Sequence, residues 1–397
     1  MNDAKAAARE RLEAARPDLV ALSHRIHGAP ELAFEEEKAS TWCAELLAAA
    51  GFRVEKPFCD LATAFRARAG SGPLHVAICA EYDALPGMGH ACGHNLIAAM
   101  GLGAGIAAAR VADELGLTVS VIGTPAEETG DDGGKIVLLD RGGFADEHAA
   151  MMVHPGPIDA EEFPTLACST FDVHYTGKAA HAAAYPHLGV NALDALTVAQ
   201  TAIGLLRQHI SPADRIHGIV TKGGDAPNVV PAHTSGRFIA RSSSIEKLHA
   251  LRARVLRCFE AGALATGAEL EVVGGAKPYA DLRPDREIGA LYRANAEALG
   301  RHFPNLGSGA SRFSGSTDMG NVSHVLPSIH PVIGLDSLPA VPHQPEFAAC
   351  AVTPAADRAL FAGALAMAWT AIDIAADAEV RARLLAPRAS GATAPRR

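Results

Sequence analysis

Side chains that can bind metal ions or transfer protons are concentrated in three short segments of this sequence. In the first segment, Cys92 and His94 stand two residues apart in a turn-rich loop, so both can face one ion. A thiolate and a neutral imidazole are good ligands for zinc, manganese or cobalt-like ions. The pair alone is equally compatible with a buried cysteine beside a surface histidine, so its meaning depends on the other two segments.

The second segment is the acidic pair Glu127 and Glu128, at the end of T-P-A-E-E. Neighbouring carboxylates after a buried strand are costly unless a cation neutralises them. A metal ion would divide their roles, because one carboxylate can bind the ion while the other takes a proton from water. A solvated acidic loop is the alternative. In the third segment, His154 follows M-M-V and either completes a ligand set of nitrogen, sulfur and oxygen atoms or is a core histidine.

Each segment follows an apolar run, and the three runs (74–80, 117–123 and 149–153) are predicted to be buried strands. Helical patterns between them predict an α/β domain with a largely parallel sheet flanked by helices. Ligands of such sheets collect beyond the carboxyl ends of the strands. One edge should therefore carry six candidate side chains, which are Asp83, Cys92, His94, Glu127, Glu128 and His154.

The pattern of the chain changes near residue 168. From there to residue 280, strands and helices follow in the order β-α-β-β-α-β, which predicts a ferredoxin-like α+β unit. We expect this unit to be a lid domain (168–280) inserted into a catalytic domain made of 1–167 and 281–397. His181, in G-K-A-A-H-A, and Asn228, in G-G-D-A-P-N, lie in this insert. His181 is either a turn residue or a group that reaches over the metal site, and Asn228 is expected in a turn.

Composition and charge exclude several other classes of protein. The formal net charge is −9, with 35 basic and 44 acidic residues, which argues against a nucleic-acid partner. No uninterrupted apolar run reaches the roughly 20 residues needed to cross a bilayer, so we expect no membrane partner. The N-terminal residues lack the basic-then-apolar order of a signal peptide. Seven scattered cysteines make a disulfide framework improbable, and we expect a reducing, cytoplasmic location.

Several strings together resemble one known family. They are H-G-A-P-E-L-A-F-E-E-E (27–37), A-E-Y-D-A-L-P (80–86), G-H-A-C-G-H-N (89–95), P-A-E-E (125–128), H-P-G (154–156), G-K-A-A-H-A (177–182) and A-P-N-V-V-P (226–231). In this order they resemble the aminoacylase/carboxypeptidase superfamily of co-catalytic metallopeptidases, in particular its amidohydrolase branch. That branch includes auxin-conjugate hydrolases and aminobenzoyl-glutamate hydrolase. R-I-H-G-I-V and S-T-D-M-G-N-V-S-H are most similar to the members that split β-alanyl dipeptides.

The resemblance implies a metal centre of two divalent ions, zinc or manganese. Its ligands would be Cys92, His94, Glu128, His154 and His343. His330, in I-H-P, competes with His343 for the last of these positions. Many members of the branch have Asp where this chain has Asn95, which leaves the filling of the second metal position open.

The resemblance also implies roles for residues that bind no metal. Glu127 would be the general base that deprotonates water, and Asp83 would orient a metal ligand. His181 would polarise the scissile carbonyl, often across a dimer interface, so a homodimer formed through the lid domain is expected. The candidate substrate-binding residues are Asn228, Arg241, Asp318 and His217. Arg241 suits a substrate carboxylate but is equally compatible with a charge on the strand surface.

The function that the sequence favours is metal-dependent cleavage of the amide bond of a small N-acyl amino acid or dipeptide. Three alternatives remain open at this point: a hydrolase with Cys92 as nucleophile and His94 as its base, a hydrolytic deaminase, and a non-catalytic binder of small molecules. No G-x-S-x-G or Walker pattern occurs, and G-L-G-A-G (101–105) lies inside a predicted helix.

Overall fold

The computed structural model describes residues 2–305 and 315–387. The strands, in chain order, are β1 (Arg53–Glu55), β2 (Phe65–Ala69), β3 (Leu74–Ala80), β4 (Leu117–Gly123), β5 (Ala149–Met151), β6 (His154–Gly156), β7 (Ala167–Thr176), β8 (Arg215–Lys222), β9 (His233–Ser242), β10 (Glu269–Gly274), β11 (Ser328–Ile329) and β12 (Val332–Gly334). The helices are α1 (Asn2–His27), α2 (Glu37–Ala49), α3 (His94–Ala109), α4 (Gly134–Asp140), α5 (Ala192–Leu206), α6 (Ile245–Thr266), α7 (Arg286–Ala298), α8 (Met319–Ser323), α9 (Pro345–Cys350), α10 (Pro354–Ala376) and α11 (Ala378–Leu385).

The larger sheet has six strands in the order β1-β2-β4-β3-β5-β11. Its central strands β4, β3 and β5 are parallel, and β3 and β4 occupy the predicted ranges. All seven residues of β4 are buried, because helices cover both faces of a parallel sheet. A two-stranded parallel pair, β6 with β12, continues from β5 and β11. The predicted α/β class with a largely parallel sheet is confirmed.

The helices that cover this sheet include an apolar one, α10, which packs against α1, α3 and α7. By length and composition α10 is the one helix in the described ranges that could cross a membrane, which the search for uninterrupted apolar runs did not detect. However, 78% of its most apolar stretch is buried inside the protein. Core helices of this kind pass the same test, because a helix that is apolar all round is also what a large core requires.

Helix α3 is shorter than predicted, ending at Ala109 rather than near residue 115. Beyond Ala109 the backbone continues in tighter i→i+3 turns, and the chain leaves them at Gly116, where φ is +59°. The guanidinium of Arg381, which follows in the chain only after α10, donates hydrogen bonds to the carbonyls of Leu115 and Gly116. Because this cap comes from a distant residue, the local sequence could not predict where the helix stops.

The smaller sheet has four antiparallel strands in the order β10-β7-β9-β8, with α5 and α6 packed against it. It has its own hydrophobic cluster, drawn from residues between Ala167 and Ala268. This is the predicted β-α-β-β-α-β order and the strand order of a ferredoxin-like unit. The limits 168–280 for the lid domain stay a prediction, which the separate sheet and cluster support.

Candidate active site

The carboxyl ends of β3, β4 and β5 meet at one edge of the larger sheet, and the chain leaves each strand into a segment with candidate site residues. Asp83 follows β3, Glu127 and Glu128 follow β4, and His154 begins β6 shortly after β5. Cys92 ends the loop after β3, and His94 is the first residue of α3. The structure therefore brings the six side chains expected at this edge into one region.

A glycine lets the loop with Cys92 and His94 approach His154. Gly93 has φ of +78°, a left-handed conformation that L side chains adopt rarely. A Cβ atom at this position would lie 2.6 Å from the Cγ atom of Pro155, the residue after His154. The backbone conformation and the close approach both require glycine between the two candidate ligands.

Asp83 connects two of the three segments. Its Oδ1 atom lies 2.9 Å from the Nδ1 atom of His94, and its Oδ2 atom accepts a hydrogen bond from the backbone N–H of Glu128 at 2.9 Å. A carboxylate on Nδ1 fixes the tautomer of an imidazole and directs Nε2 toward a metal ion. The Nε2 atom of His94 is buried and has no hydrogen-bond partner in the part of the chain that the structure describes.

Ligand atoms of several side chains surround that nitrogen. The Sγ atom of Cys92, the His94 ring and a carboxylate oxygen of Glu128 lie within 4.8 Å of one another. The Oε1 atom of Glu128 is 3.8 Å from His94 Nε2, and the Oε2 atom of Glu127 is 4.0 Å from it. The ring of His154 stands edge-on to His94, with the ring centroids 5.8 Å apart. This set of sulfur, nitrogen and oxygen donors fits a divalent ion such as zinc or manganese.

The ionisation of these groups depends on a cation. Burial and the charges of Glu81 and Glu128 raise the pKa of Glu127 well above its usual range. Burial and the charge of Glu128 raise the pKa of the Cys92 thiol in the same way. Burial, with the neighbouring charge of His94, lowers the pKa of His154 to about 4, so its ring is neutral and able to bind a metal ion. Without a positive charge among them, the thiol and the carboxyl groups cannot all be ionised.

Two functional candidates at this site were missed by the sequence analysis. Glu81 is fully buried, and its Oε2 atom lies 3.5 Å from His94 Nε2. Lys135 is also fully buried, with its Nζ atom 2.5 Å from a carboxylate oxygen of Glu81 and 2.5 Å from one of Asp318. The signal for Glu81 was present, because a charged residue that directly follows a buried strand needs a partner. Nothing near Lys135 in the sequence identifies its partners.

A cavity of about 800 Å³ opens beside the cluster. Its wall includes Cys92, Glu127, Glu128 and His154 on one side and Arg241 of β9 on the other. The guanidinium of Arg241 donates a hydrogen bond to the Ser316 hydroxyl at 2.6 Å.

Both histidines that competed for the last ligand position also line the cavity. His343 is 59% exposed, and its Nε2 atom lies 4.0 Å from Glu128 Oε1. His330 is buried, with its ring centroid 5.7 Å from that of His154.

The other predicted substrate-binding residues are not on this wall. His181 and Asn228 are neighbours on the lid, where the N–H of Ala182 donates to the Asn228 carbonyl, and His217 is exposed on β8. Asp318 was expected on the substrate side but is fully buried behind the wall, where its carboxylate is paired with Lys135. The energetic demand of that buried lysine explains the placement, because an unpaired ammonium would be far more costly there.

Residues 77–359 match the family model described as Peptidase family M20/M25/M40. The chain belongs to this family. It is 40% identical over 386 residues to the Xaa-Arg dipeptidase of Mus musculus, a match that covers 93% of this chain and 88% of the relative. It is 33% identical over 282 residues to one of the two chain types of the p-aminobenzoyl-glutamate hydrolase of Escherichia coli, covering 66% of this chain and 58% of that protein. These matches confirm the family that the sequence strings indicated.

Solved structures agree with the fold. A dinuclear metal binding peptidase of family M20 from Bacillus subtilis superposes with a TM-score of 0.69 at 21% identity, covering 92% of this chain and 99% of that one. An aminobenzoyl-glutamate utilization protein from Klebsiella pneumoniae gives a TM-score of 0.70 at 20% identity, covering 90% and 97%. As a member of Peptidase family M20/M25/M40 with this donor set, the chain is a metal-dependent hydrolase, as predicted.

Proposed function

We propose that this protein cleaves the amide bond of a small N-acyl amino acid or dipeptide with water activated at the Cys92–His94–Glu128 cluster. The observation that carries the proposal is the position of Glu127. Its carboxylate lies 4.0 Å from His94 Nε2, beside the clustered ligand atoms, and on the wall of the cavity. A carboxyl group at that place can receive a proton from water and return it to a leaving amine.

We infer that five side chains, Cys92, His94, Glu128, His154 and His343, hold two divalent ions, zinc or manganese. Such ions polarise a carbonyl and lower the pKa of water when they are bound. The distance of 4.0 Å between His343 Nε2 and Glu128 favours His343 over His330 as the last ligand. Asp83 keeps the His94 ring in position through Nδ1.

The alternative with Cys92 as a nucleophile is not favoured. A nucleophilic cysteine needs a depressed pKa, usually from a neighbouring cation. Burial and the adjacent Glu128 act in the opposite direction on the Cys92 thiol and raise its pKa. A thiol in those surroundings becomes a thiolate when a metal ion binds it, which agrees with a ligand role.

Substrates with a basic C-terminal residue are the first to test, because two relatives at 40% and 38% identity are Xaa-Arg dipeptidases. Glu162 supports this choice. Of the three carboxylates on the described cavity wall, it is the one outside the metal cluster, and the aromatic ring of Phe163 follows it. A carboxylate beside an aromatic ring suits a guanidinium or ammonium group. Arg241 remains available for the α-carboxylate.

The arrangement of the lid supports a homodimer. β8 is an edge strand of the lid sheet, and it exposes Ile219 by 64% and Val220 by 44%. An exposed apolar edge strand favours pairing with another strand, here the same strand of a second chain. In such a dimer, His181, Asn228 and His217 would act on the substrate in the partner's cavity, which explains why they do not line their own.

We also propose a cytoplasmic location. All seven cysteines are free thiols, four of them buried. Secreted proteins commonly use such residues in disulfides, whereas a reducing compartment keeps them as thiols.

The proposal is tested by measuring metal content and turnover together. We expect the purified protein to hold about two divalent ions per chain and to hydrolyse dipeptides with a C-terminal arginine or lysine. Glu127→Gln should keep the ions and lose at least about 100-fold in kcat, since general-base catalysis is worth that much or more. A metal-free active protein, or a fully active Glu127→Gln variant, would contradict the proposal. Release of free ammonia instead of an amino acid would identify a deaminase.

A further inference from the structure

The two oxygen atoms of Glu81 have different surroundings. Oε1 accepts a hydrogen bond from Lys135 at 2.5 Å. Oε2 is buried, has no hydrogen-bond partner among the described residues, and faces the equally unpartnered Nε2 atom of His94 at 3.5 Å. One oxygen is therefore anchored, while the other is directed at an imidazole nitrogen that cannot donate a proton as long as Nδ1 donates to Asp83.

An orphaned carboxylate oxygen facing an orphaned imidazole nitrogen needs a cation between them. A buried polar atom without a partner costs on the order of 1–3 kcal/mol, and a buried charge costs more. The ligand atoms of Glu81, His94 and His154 all lie within 4.8 Å of one another. Two imidazoles and one carboxylate form a donor set that zinc, manganese and similar ions accept.

Lys135 explains why Glu81 points in this direction. The carboxylates of Glu81, Glu127 and Asp318 also lie within 4.8 Å of one another, a grouping that could by itself hold a metal ion. The Lys135 ammonium already contacts two of these three carboxylates, and its backbone N–H donates to the second oxygen of Asp318 at 2.9 Å. The internal cation thus fills that position and holds Glu81 with Oε2 toward the histidines.

We propose that Glu81 is a ligand of the metal ion bound by His94 and His154, and that Lys135 is the positioning residue that aims it. This inference rests on the proposed function, because it assumes that the cluster binds divalent ions. It adds a carboxylate to the five ligands inferred above. The other ion would keep Glu128 and His343.

The structural alternative is that Glu81 serves only as a partner for Lys135. Two variants with the same loss of charge separate the two roles. Glu81→Gln and Asp318→Asn each remove one negative charge from the same buried group of side chains, and each weakens one ion pair of Lys135. Only Glu81→Gln changes the atom that faces His94 and His154.

The experiment is a metal titration of the full-length protein. Wild type, Glu81→Gln and Asp318→Asn are stripped with a chelator and titrated with Mn²⁺ and Zn²⁺, with affinities read by competition against a chromophoric chelator. We expect two ions in the wild type and in Asp318→Asn. In Glu81→Gln, the affinity for one ion should fall at least about 10-fold while the affinity for the other is unchanged.

Each other result is decisive. If Glu81→Gln binds both ions as the wild type does, or if Asp318→Asn loses the same ion to the same extent, the ligand role is wrong while the proposed function stands. If the wild type binds no ion, both proposals fail.

A crystal structure of the Zn²⁺-loaded wild type decides the matter even if the variants do not fold. A distance of about 2.0–2.2 Å between Glu81 Oε2 and the ion supports the inference. A distance beyond about 3 Å overturns it, because no carboxylate ligand stands that far from zinc.

Discussion

The Oδ1 atom of Asp83 lies 2.9 Å from the Nδ1 atom of His94, and both side chains are buried. The other oxygen of Asp83 accepts the backbone N–H of Glu128. One carboxylate therefore fixes the ring of one candidate ligand and the backbone of another. The spacing between these two ligands is set by a residue that does not face the cavity.

Asp83→Asn should weaken metal binding. An asparagine that donates its amide N–H to Nδ1 would turn His94 to the tautomer with a proton on Nε2, the atom needed as a ligand. Substitutions of this kind typically cost about 10- to 100-fold in metal affinity. The same chelator competition measures the change. An Asp83→Asn protein with wild-type affinity for both ions would show that the 2.9 Å contact does not orient the ligand.

A mixed dimer should recover activity from two inactive chains if the lid acts across the interface. His181→Ala and Glu127→Gln, each carrying a different affinity tag, are co-expressed, and the dimer with both tags is isolated. One of its two sites combines an intact Glu127 with the intact lid of the partner. We therefore expect about half of the wild-type turnover, by the symmetry of a two-fold dimer.

The control for the mixed dimer pairs His181→Ala with Asn228→Ala. Both residues belong to the lid, so each site of this dimer lacks one of them and should remain impaired. Equal recovery in the two mixtures, or no recovery in the first, would contradict action of the lid across the interface.

The edge with the active site could be predicted from the sequence because the information is local. An apolar run of seven residues, such as Leu74–Ala80, predicts a buried strand, and parallel strands place their carboxyl ends together. Spacing along the chain then brings Cys92, His94, Glu128 and His154 to one place. The order of strands and helices likewise predicted the lid unit.

What the sequence could not predict depends on contacts between distant residues. Lys135 meets Asp318 across 183 positions, and Arg381 reaches the carbonyl of Leu115, beyond the end of α3, across 266 positions. Asp318 was expected to face substrate because a carboxylate in a family-like string suggests a site residue. A buried lysine that needs its charge is not visible from the string itself.

Glu36 should make the stability of the protein depend on pH. Its Oε1 atom accepts the backbone N–H groups of Phe34 and Ala126, and the latter residue has φ of +60° just before Glu127. Burial and the charge of Asp83 raise the pKa of Glu36 from 4.5 to about 7. The folded state therefore prefers the protonated acid more than the unfolded state does.

The sign follows from that preference. The contribution of Glu36 is present below pH 4.5 and is lost as the pH rises toward 7, because the ionised form is disfavoured in the folded protein. Glu36→Gln keeps the acceptor and cannot ionise. From about pH 5 to about pH 8, the free energy of urea-induced unfolding of the variant should rise relative to the wild type by on the order of 2–3 kcal/mol. A difference that does not change with pH would contradict the shifted pKa.

Glu162→Gln should change the choice of substrate and not the chemistry. If the Glu162 carboxylate binds a basic side chain, its loss should raise KM for a dipeptide with C-terminal arginine by roughly 10-fold, the effect of one charge-assisted contact. KM for a dipeptide with C-terminal norleucine should stay the same. Glu161→Gln is the matched control, because Glu161 is already paired with Arg293. Equal effects on both substrates would remove Glu162 from the recognition of the side chain.

Asn95 departs from the Asp of many branch members, and its surroundings predict a structural effect when the Asp is restored. The Nδ2 atom of Asn95 donates to the Ser23 hydroxyl at 2.9 Å and to the Ala351 carbonyl at 3.1 Å, so the side chain faces α1 and the end of α9. Asn95→Asp replaces a double donor by an acceptor in a fully buried position. The free energy of unfolding should fall by about 1–3 kcal/mol or more.

Metal content distinguishes this explanation from one in which residue 95 tunes the metal centre. We expect Asn95→Asp to bind as many ions as the wild type at temperatures where it is folded, since both donors of Asn95 point to the helices. Asn191→Asp is the control, because Asn191 caps α5 through its side-chain oxygen, a role that aspartate fills equally well. That variant should unfold at the same urea concentration as the wild type. A gain of metal affinity in Asn95→Asp without loss of stability would instead place residue 95 in the metal centre.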